Sequence, residues 1–333
     1  MTVSRASIII RCYNEADYIG QLLHGITEQT MDDYEIILVD SGSTDGTLEI
    51  ANQYPIEDIV HIPPEKFSFG RALNWGCEEA NGEYCVFISA HCFPKRVDWL
   101  ERLLEKFDDD DDVAMVYGKQ RGGGPTKFSE RQIFRRWFPE EDIDYQLTPF
   151  ANNANAAIRR NLWKEYPYDE QLTGLEDLDW GKRVKEDGYE ISYASDAEII
   201  HIHDETPKEI YNRYRREAIA HKQIISDQVF TLSDFTRAFL YNSLSDLYAA
   251  YKQEKLSENV QSIPLFRFLQ FWGTYRGFKH DDTISEQLRK RFYYPDQNGY
   301  PDNPEQSNNE TSAPEIDYSA SELKHPVEET KEF

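Results

Sequence analysis

Three groups of residues in this sequence could do acid-base or metal chemistry. The first is the acidic string GLEDLDW, which puts Glu176, Asp177 and Asp179 within about one helical turn. Carboxylates in that position can accept a proton from a hydroxyl, or can serve only to complement a helix dipole. The second is a set of imidazoles. His91 ends the apolar run VFISAH, while His201 and His203 stand two apart in EIIHIHD and so share a face of an extended chain. A neutral imidazole is a metal ligand, although a single histidine at a strand end more often packs or hydrogen-bonds. The third group is polar residues that follow apolar runs: Arg11 to Glu15, Asp40 to Asp45, and Ser89 to His91.

The elements that must hold these groups alternate between strand and helix. Residues 7–12 form a β-rich run, followed by Ile19, Leu22, Leu23 and Ile26 at helical spacing, with Asn14 placed as the cap. A second strand over 35–39 empties at Asp40 into SGSTDGT, where Thr44 can cap a helix through Ile50 and Ala51. A short strand over 59–62 follows. Ser68 then opens a helix through Ala80, and residues 84–88 form the strand that leads to His91. Repeated β-α units with uniformly apolar strands predict an α/β fold, a Rossmann-like, mostly parallel sheet with helices on both faces. Ligands of such sheets bind beyond the carboxyl ends of the strands, which is where all three polar clusters fall.

The middle of the chain is less regular. RGGGPTKFSERQIFRRWFP suits either a loop or short helix beside an anionic ligand, or a solvated helix face. Residues 154–159 read as a strand, 176–187 as a helix closed by Gly188, and 190–193 and 198–202 as two separate strands. From Thr206 onward the pattern is helical, with three helices over about 210–224, 235–251 and 265–278. The last, LFRFLQFWGTYRGFKH, fits packing against the main domain better than resting on a membrane surface. This divides the chain into a catalytic domain over 1–205, a helical region over 206–295 and an acidic tail over 296–333. The tail holds ten acidic and two basic residues and reads as disordered.

Composition excludes several classes. The formal net charge of −25 argues against general nucleic-acid binding. Cys12, Cys77, Cys85 and Cys92 lack metal-site or disulfide spacing, so reduced thiols and a cytoplasmic location are expected. The run Asp108 to Asp112 reads as a solvated loop, because a calcium site needs ligands spaced around a turn. No signal-peptide core and no stretch of roughly 20 apolar residues is visible, so the protein is expected to be soluble or peripheral at the inner face of a membrane.

Taken in order, SIIIRCYNE, EIILVDSGSTDGT, the strand ending SAHCFP, NNANAAIRR and GLEDLDW resemble a family 2 glycosyltransferase with the GT-A fold, over roughly residues 5–225. FSFGRALNWG and SAHCFP are similar to bacterial rhamnosyltransferase-like members. The resemblance implies a nucleotide-diphospho-sugar donor and a glycan or lipid-linked acceptor. It puts Cys12, Asn14, Glu15 and Asp40 along the nucleotide pocket, with Asp40 toward the base and Arg71 near the base or diphosphate. It also makes Asp177 the general base of an inverting transfer, assisted by Glu176, with Asp179 a weaker substitute.

The chain departs from the family at its D-x-D motif, which reads Ser89-Ala90-His91 here. Two carboxylates that would help to hold a divalent metal are replaced by a hydroxyl and an imidazole. The resemblance then implies a metal bound by His91 with His201 or His203, manganese being favoured over magnesium. Leaving-group stabilisation by Arg or Lys without a metal is the competing mechanism.

The sequence also bears on rival readings. No G-x-G-x-x-G follows the first strand, which argues against a dinucleotide-binding protein. QIFRRW has one residue too many, and lies too early, for the Q-x-x-R-W of processive synthases, so one sugar per encounter is expected. A nucleotidyltransferase would carry a basic glycine-rich loop after the first strand, which is missing here. A degenerate, non-catalytic nucleotide-sugar-binding protein stays open, as does the oligomeric state.

Overall fold

The computed structural model describes residues 4–281 and 284–294, and the acidic stretch from Asp296 onward lies outside them. The chain begins with β1 (Ala6–Cys12), α1 (Ile19–Thr27), β2 (Tyr34–Asp40), α2 (Thr47–Ala51), β3 (Asp58–His61), α3 (Phe69–Glu79) and β4 (Tyr84–Ser89). β1 runs parallel to both β2 and β4, and β2 parallel to β3. The register aligns their ends: Cys12 lies opposite Asp40, Arg11 opposite Ser89, and Asp40 opposite His61. Alternation along β1 sends Ala6, Ile8, Ile10 and Cys12 into one apolar layer with α1, and Ile9 into the other with Leu73 and Cys77 of α3. Each such isoleucine, buried completely, contributes about 1.5–3 kcal/mol. The close fit of α3 to the sheet depends on Gly76, where a Cβ would come within 2.4 Å of Ile9 Cγ2.

The remaining α/β elements are β5 (Cys92–Pro94), α4 (Trp99–Asp109), β6 (Val113–Gly122), α5 (Phe128–Trp137), β7 (Asn155–Arg159), α6 (Arg160–Glu165), α7 (Glu176–Glu186) and β8 (Glu190–His201). The eight-stranded sheet has the order β3-β2-β1-β4-β7-β6-β8-β5. Its β1–β4 half is parallel, as expected, but β7 runs antiparallel to β4 and β6, and β5 antiparallel to β8. The sheet is therefore mixed. The β5–β8 pair puts Cys92 opposite His201, which brings His91 beside the later histidines.

Several local expectations need correction. The two strands expected over 190–202 are one strand, β8, with a bulge. Gly118 pairs with Ala194 and Gln120 with Ile199, so β8 takes five steps where β6 takes two. Ser195 and Asp196 look like a turn in sequence; instead, the Ser195 amide and hydroxyl each donate to Asp142 Oδ1 at 2.7 Å. Asn14 does not cap α1. Its φ is 52° and its side chain bridges to another loop. Thr44 likewise does not cap α2, which starts after Gly46 and has its first amide bound by Asp45. Ser68 does cap α3, accepting the Arg71 amide.

Helices α8 (Pro207–Ile224), α9 (Leu232–Lys252), α10 (Leu256–Asn259), α11 (Ser262–Phe278) and α12 (Glu286–Tyr293) follow among the described residues. Thr206 and Glu209 form a capping box on α8. α11 lies directly on α8: a Cβ at Gly273 would stand 2.7 Å from the Tyr211 carbonyl oxygen, and one at Gly277 2.5 Å from that of Arg215. Arg267 of α11 pairs with Asp246 of α9 at 2.7 Å, both about 2% exposed, and also reaches the Ser129 carbonyl of α5. The helical region is thus fastened to the α/β part. Among the described residues, no helix is long and apolar enough to cross a membrane.

Candidate active site

The loops after β1 and β2 are joined by four hydrogen bonds. The Asn14 amide donates to Ser43 Oγ, and the Thr44 amide to Asn14 Oδ1. The Glu15 amide donates to Thr47 Oγ1 and the Ala16 amide to Asp45 Oδ2. The polar content of SGSTDGT therefore shapes the loop that bears Asn14 and Glu15. Asp40 lies beneath, 0% exposed, accepting the Gly42 amide at 3.0 Å and the Ser43 amide at 3.1 Å. Cys12 Sγ lies 3.6 Å from Asp40 Oδ1, and His61 Nδ1 lies 3.7 Å from Oδ2. Burial alone would raise the Asp40 carboxyl, but the nearby His61 ring and the hydrogen bonds from Ser43 and Gly42 outweigh it and hold the group below its ordinary value. Burial and the neighbouring Asp40 push the Cys12 thiol well up, so it is a neutral thiol.

At the start of α7, Asp177 accepts the Asn153 amide at 3.1 Å and the Leu178 amide at 2.8 Å, and is 8% exposed. Burial, and then repulsion from Glu176, raise its pKa from 3.8 to about 7. Glu176 is held by Arg11 Nη1 at 3.1 Å, which ties the end of β1 to the first turn of α7. Asp179, one residue beyond Leu178, instead accepts from Arg183 Nε at 2.9 Å in an ordinary helical ion pair. The two neighbouring carboxylates thus differ in kind, one ion-paired and one desolvated.

The three histidines come together. His91 stacks on His201 with ring centroids 5.1 Å apart, and His201 meets His203 at 4.1 Å. Each offers a ring nitrogen within 4.8 Å of those of the others. All three Nδ1 atoms are engaged: His91 donates to Glu15 Oε1 at 2.7 Å, His201 meets Gln120 Oε1 at 2.8 Å, and His203 donates to Glu130 Oε1 at 3.1 Å. That leaves Nε2 on each ring for a ligand, the arrangement in which an outer partner fixes a metal-binding imidazole. His201 Nε2 is buried and has no hydrogen-bond partner. Burial, then His203 and His91, depress the His201 pKa well below its ordinary value, so the ring is neutral with a lone pair on that atom. The donor set fits a divalent transition metal.

Of the other residues singled out in the sequence, Ser89 ends β4 two residues before His91. Arg71 is committed to Glu170 at 2.7 Å and to the Lys66 carbonyl, and shares no contact with the histidines. Sequence reasoning missed the residues that orient the imidazoles, Gln120 and Glu130. It also missed Arg213, which grips Glu130 at 2.7 and 3.1 Å and Glu205 at 2.6 and 2.9 Å. The only available signal was Glu130 itself, the one acid within KFSERQIFRRW. Beside this group, a cavity of about 400 Å³ is bordered by Asn14, Arg213 and Arg216.

Residues 7–166 match the family model described as glycosyl transferase family 2. Glycosyltransferase AglE of Haloferax volcanii is 31% identical over 215 residues, spanning 62% of this chain and 69% of that protein. The O-antigen chain rhamnosyltransferase WbaN of Salmonella anatum is 24% identical over 288 residues, 77% of this chain and 90% of its own. Among solved structures, the mannosyltransferase PcManGT from Pyrobaculum calidifontis, in complex with GDP-Man and Mn2+, aligns over 88% of each chain with a TM-score of 0.55 and 20% identity. Asp177, His201 and His203 fall beyond the stretch that the family model matches.

Proposed function

Because the chain belongs to glycosyl transferase family 2 and has the GT-A fold, we propose that it is a non-processive, inverting enzyme with Asp177 as its general base. It moves a sugar from a nucleotide-diphospho-sugar to a hydroxyl of a glycan or lipid-linked acceptor. The observation that carries this reading is the Asp177 carboxyl, buried at a helix start and titrating at about 7. A base with that pKa is available at neutral pH and still accepts a proton readily. As the acceptor oxygen forms its bond to the anomeric carbon, its proton passes to Asp177, and the bond to the diphosphate breaks on the opposite face. The Asn153 and Leu178 amides hold the carboxylate in one orientation, while Arg11 keeps the adjacent Glu176 neutralised.

The donor's nucleotide lies along Cys12, Asn14, Glu15 and Asp40, with Asp40 turned toward the base. His91, His201 and His203 would hold a divalent metal, their rings oriented by Glu15, Gln120 and Glu130. A metal there would neutralise charge on the leaving diphosphate. The Mn2+ of the Pyrobaculum enzyme supports manganese, and three imidazoles favour zinc or cobalt binding over magnesium. The enzyme works in the cytoplasm. The exposed row Leu240, Leu244, Tyr248 and Tyr251 on α9 supports peripheral contact with a membrane that carries the acceptor, and a protein that stays behind when liposomes float would contradict that part.

The reaction class is tested by the stereochemistry of transfer. Proton NMR of the first sugar released or transferred from an α-linked donor should show the β-anomer. Retention would remove Asp177 from the role of base in a single displacement.

A further inference from the structure

Helix α12 returns from the helical region to the carboxyl ends of β1 and β2. Ser285 caps it, Phe292 lies under the Arg215 guanidinium at 5.9 Å, and the Arg291 carbonyl accepts from Asn212 Nδ2 at 3.4 Å. Its end delivers two tyrosines. Tyr293 packs edge-on against Phe67 at 5.1 Å and Phe69 at 5.6 Å. Tyr294 goes deeper: its ring meets Tyr13 edge-on at 4.8 Å and Phe67 at 6.3 Å, and its hydroxyl donates to the Ser41 carbonyl at 3.1 Å. Only 2% of Tyr294 is exposed.

These contacts mark a definite place. Tyr13 follows Cys12 at the end of β1, Ser41 follows Asp40 at the end of β2, and Phe67 follows β3 and the short turn of Pro64–Lys66. Two of these strand ends carry Cys12 and Asp40, which the reading above gives to the nucleotide, with Asp40 toward its base. A nucleobase and a phenol both present a flat ring with a hydrogen-bond donor at its edge, and here the donor meets a backbone carbonyl beside Asp40. Asp40 itself is fully covered. Tyr294 borders the neighbouring cavity of about 400 Å³ together with Tyr13 and Tyr293, yet nearly all of its surface is spent on Tyr13, Phe67 and the Ser41 carbonyl.

We propose that Tyr294 is an intramolecular occupant of the nucleobase slot, so that α12 holds the enzyme closed until a donor nucleotide displaces it. The inference rests on the nucleotide-pocket reading. A helix of eight residues has little stability of its own in water, so α12 keeps its place through these contacts and leaves when a competitor replaces them. Donor affinity is then set partly by the strength of the Tyr294 contacts, and anything that binds α12 would alter activity.

The test is calorimetric titration of the full chain with UDP, GDP and dTDP, for wild type, Tyr294→Phe and Tyr294→Ala. Losing the hydroxyl's bond should tighten binding of the preferred nucleotide about fivefold, and losing the ring about tenfold or more. Hydrogen exchange in wild type adds a second readout: amides of α12 should exchange faster when that nucleotide is present. Equal or weaker binding by Tyr294→Ala, or slower exchange in α12, would overturn the plug and make Tyr294 a wall of the pocket. If neither wild type nor the alanine variant binds any of the three nucleotides, the pocket reading itself fails and takes the plug with it.

Discussion

Replacing Asp177 by Asn should make the protein more stable and nearly inactive, with a pH signature that ties both effects to one carboxyl. In the folded chain this group titrates at about 7 instead of 3.8, because burial and then Glu176 disfavour its charge. The sign follows from that direction. A carboxyl raised by folding favours the folded state in full below its unfolded pKa, and this advantage is lost as pH rises through the folded value. Above pH 7 the native protein bears the whole cost of ionising Asp177, at most about 4 kcal/mol at 1.36 kcal/mol per pKa unit. Asparagine removes the charge but keeps an oxygen for only one of the two amides, because Asn153 donates to Oδ2 and Leu178 to Oδ1. Allowing for relaxation and for the amide left facing an NH2 group, a gain of about 2 kcal/mol is expected at pH 8, which corresponds to a rise in Tm of about 3 °C for a chain of 333 residues. The gain should shrink toward zero near pH 4. Thermal unfolding of both proteins from pH 4 to 8 measures it. Turnover of the variant should fall by about 10² to 10⁴, and wild-type kcat/KM should rise with pH to a plateau above about 7. A variant no more stable at pH 8 than at pH 4 would refute the desolvation argument, and wild-type turnover in the variant would refute the base.

Three further outcomes are expected. Gln120→Ala touches no metal but frees the His201 ring, so manganese affinity measured calorimetrically should fall about 10- to 100-fold; unchanged affinity would mean that His201 is not a ligand. Arg267→Ala leaves Asp246 buried without its partner and should cost about 3–5 kcal/mol in denaturant unfolding, whereas a loss below about 1 kcal/mol would mean that the pair does not fasten α9 and α11 to α5. Ending the chain before Asp296 should leave Tm and turnover unchanged, because that acidic stretch is poor in large apolar residues; a fall of more than about 5 °C would show that it is docked.

The parallel half of the sheet was legible because apolar runs ending in polar clusters are a local pattern, and β1, β2, β3 and β4 need only that pattern to be located. The ordered motif set singled out Asp177, which is buried at the start of α7, and the departure from it singled out three histidines whose rings come together. What escaped depends on partners distant in sequence. Asn14 looks like a cap, and only the neighbouring SGSTDGT loop draws it into a left-handed conformation. Ser195-Asp196 looks like a turn until Asp142, more than fifty residues earlier, binds it within a continuous strand. Gln120 carries no mark in sequence, since an amide in a buried strand has many uses. Nothing local announces that Tyr294 lies on Ser41, a contact spanning 253 positions.

The central claim is that this chain turns over a nucleotide-activated sugar with Asp177 as the base. The most direct measurement is release of nucleoside diphosphate from a panel of UDP-, GDP- and dTDP-sugars by wild type and Asp177→Asn, with manganese present and donor binding followed in parallel. Turnover of at least one donor by wild type, lost in the variant while binding persists, is the predicted result. Nucleotide binding without turnover of any donor would contradict it and identify a non-catalytic binding protein built on the same fold.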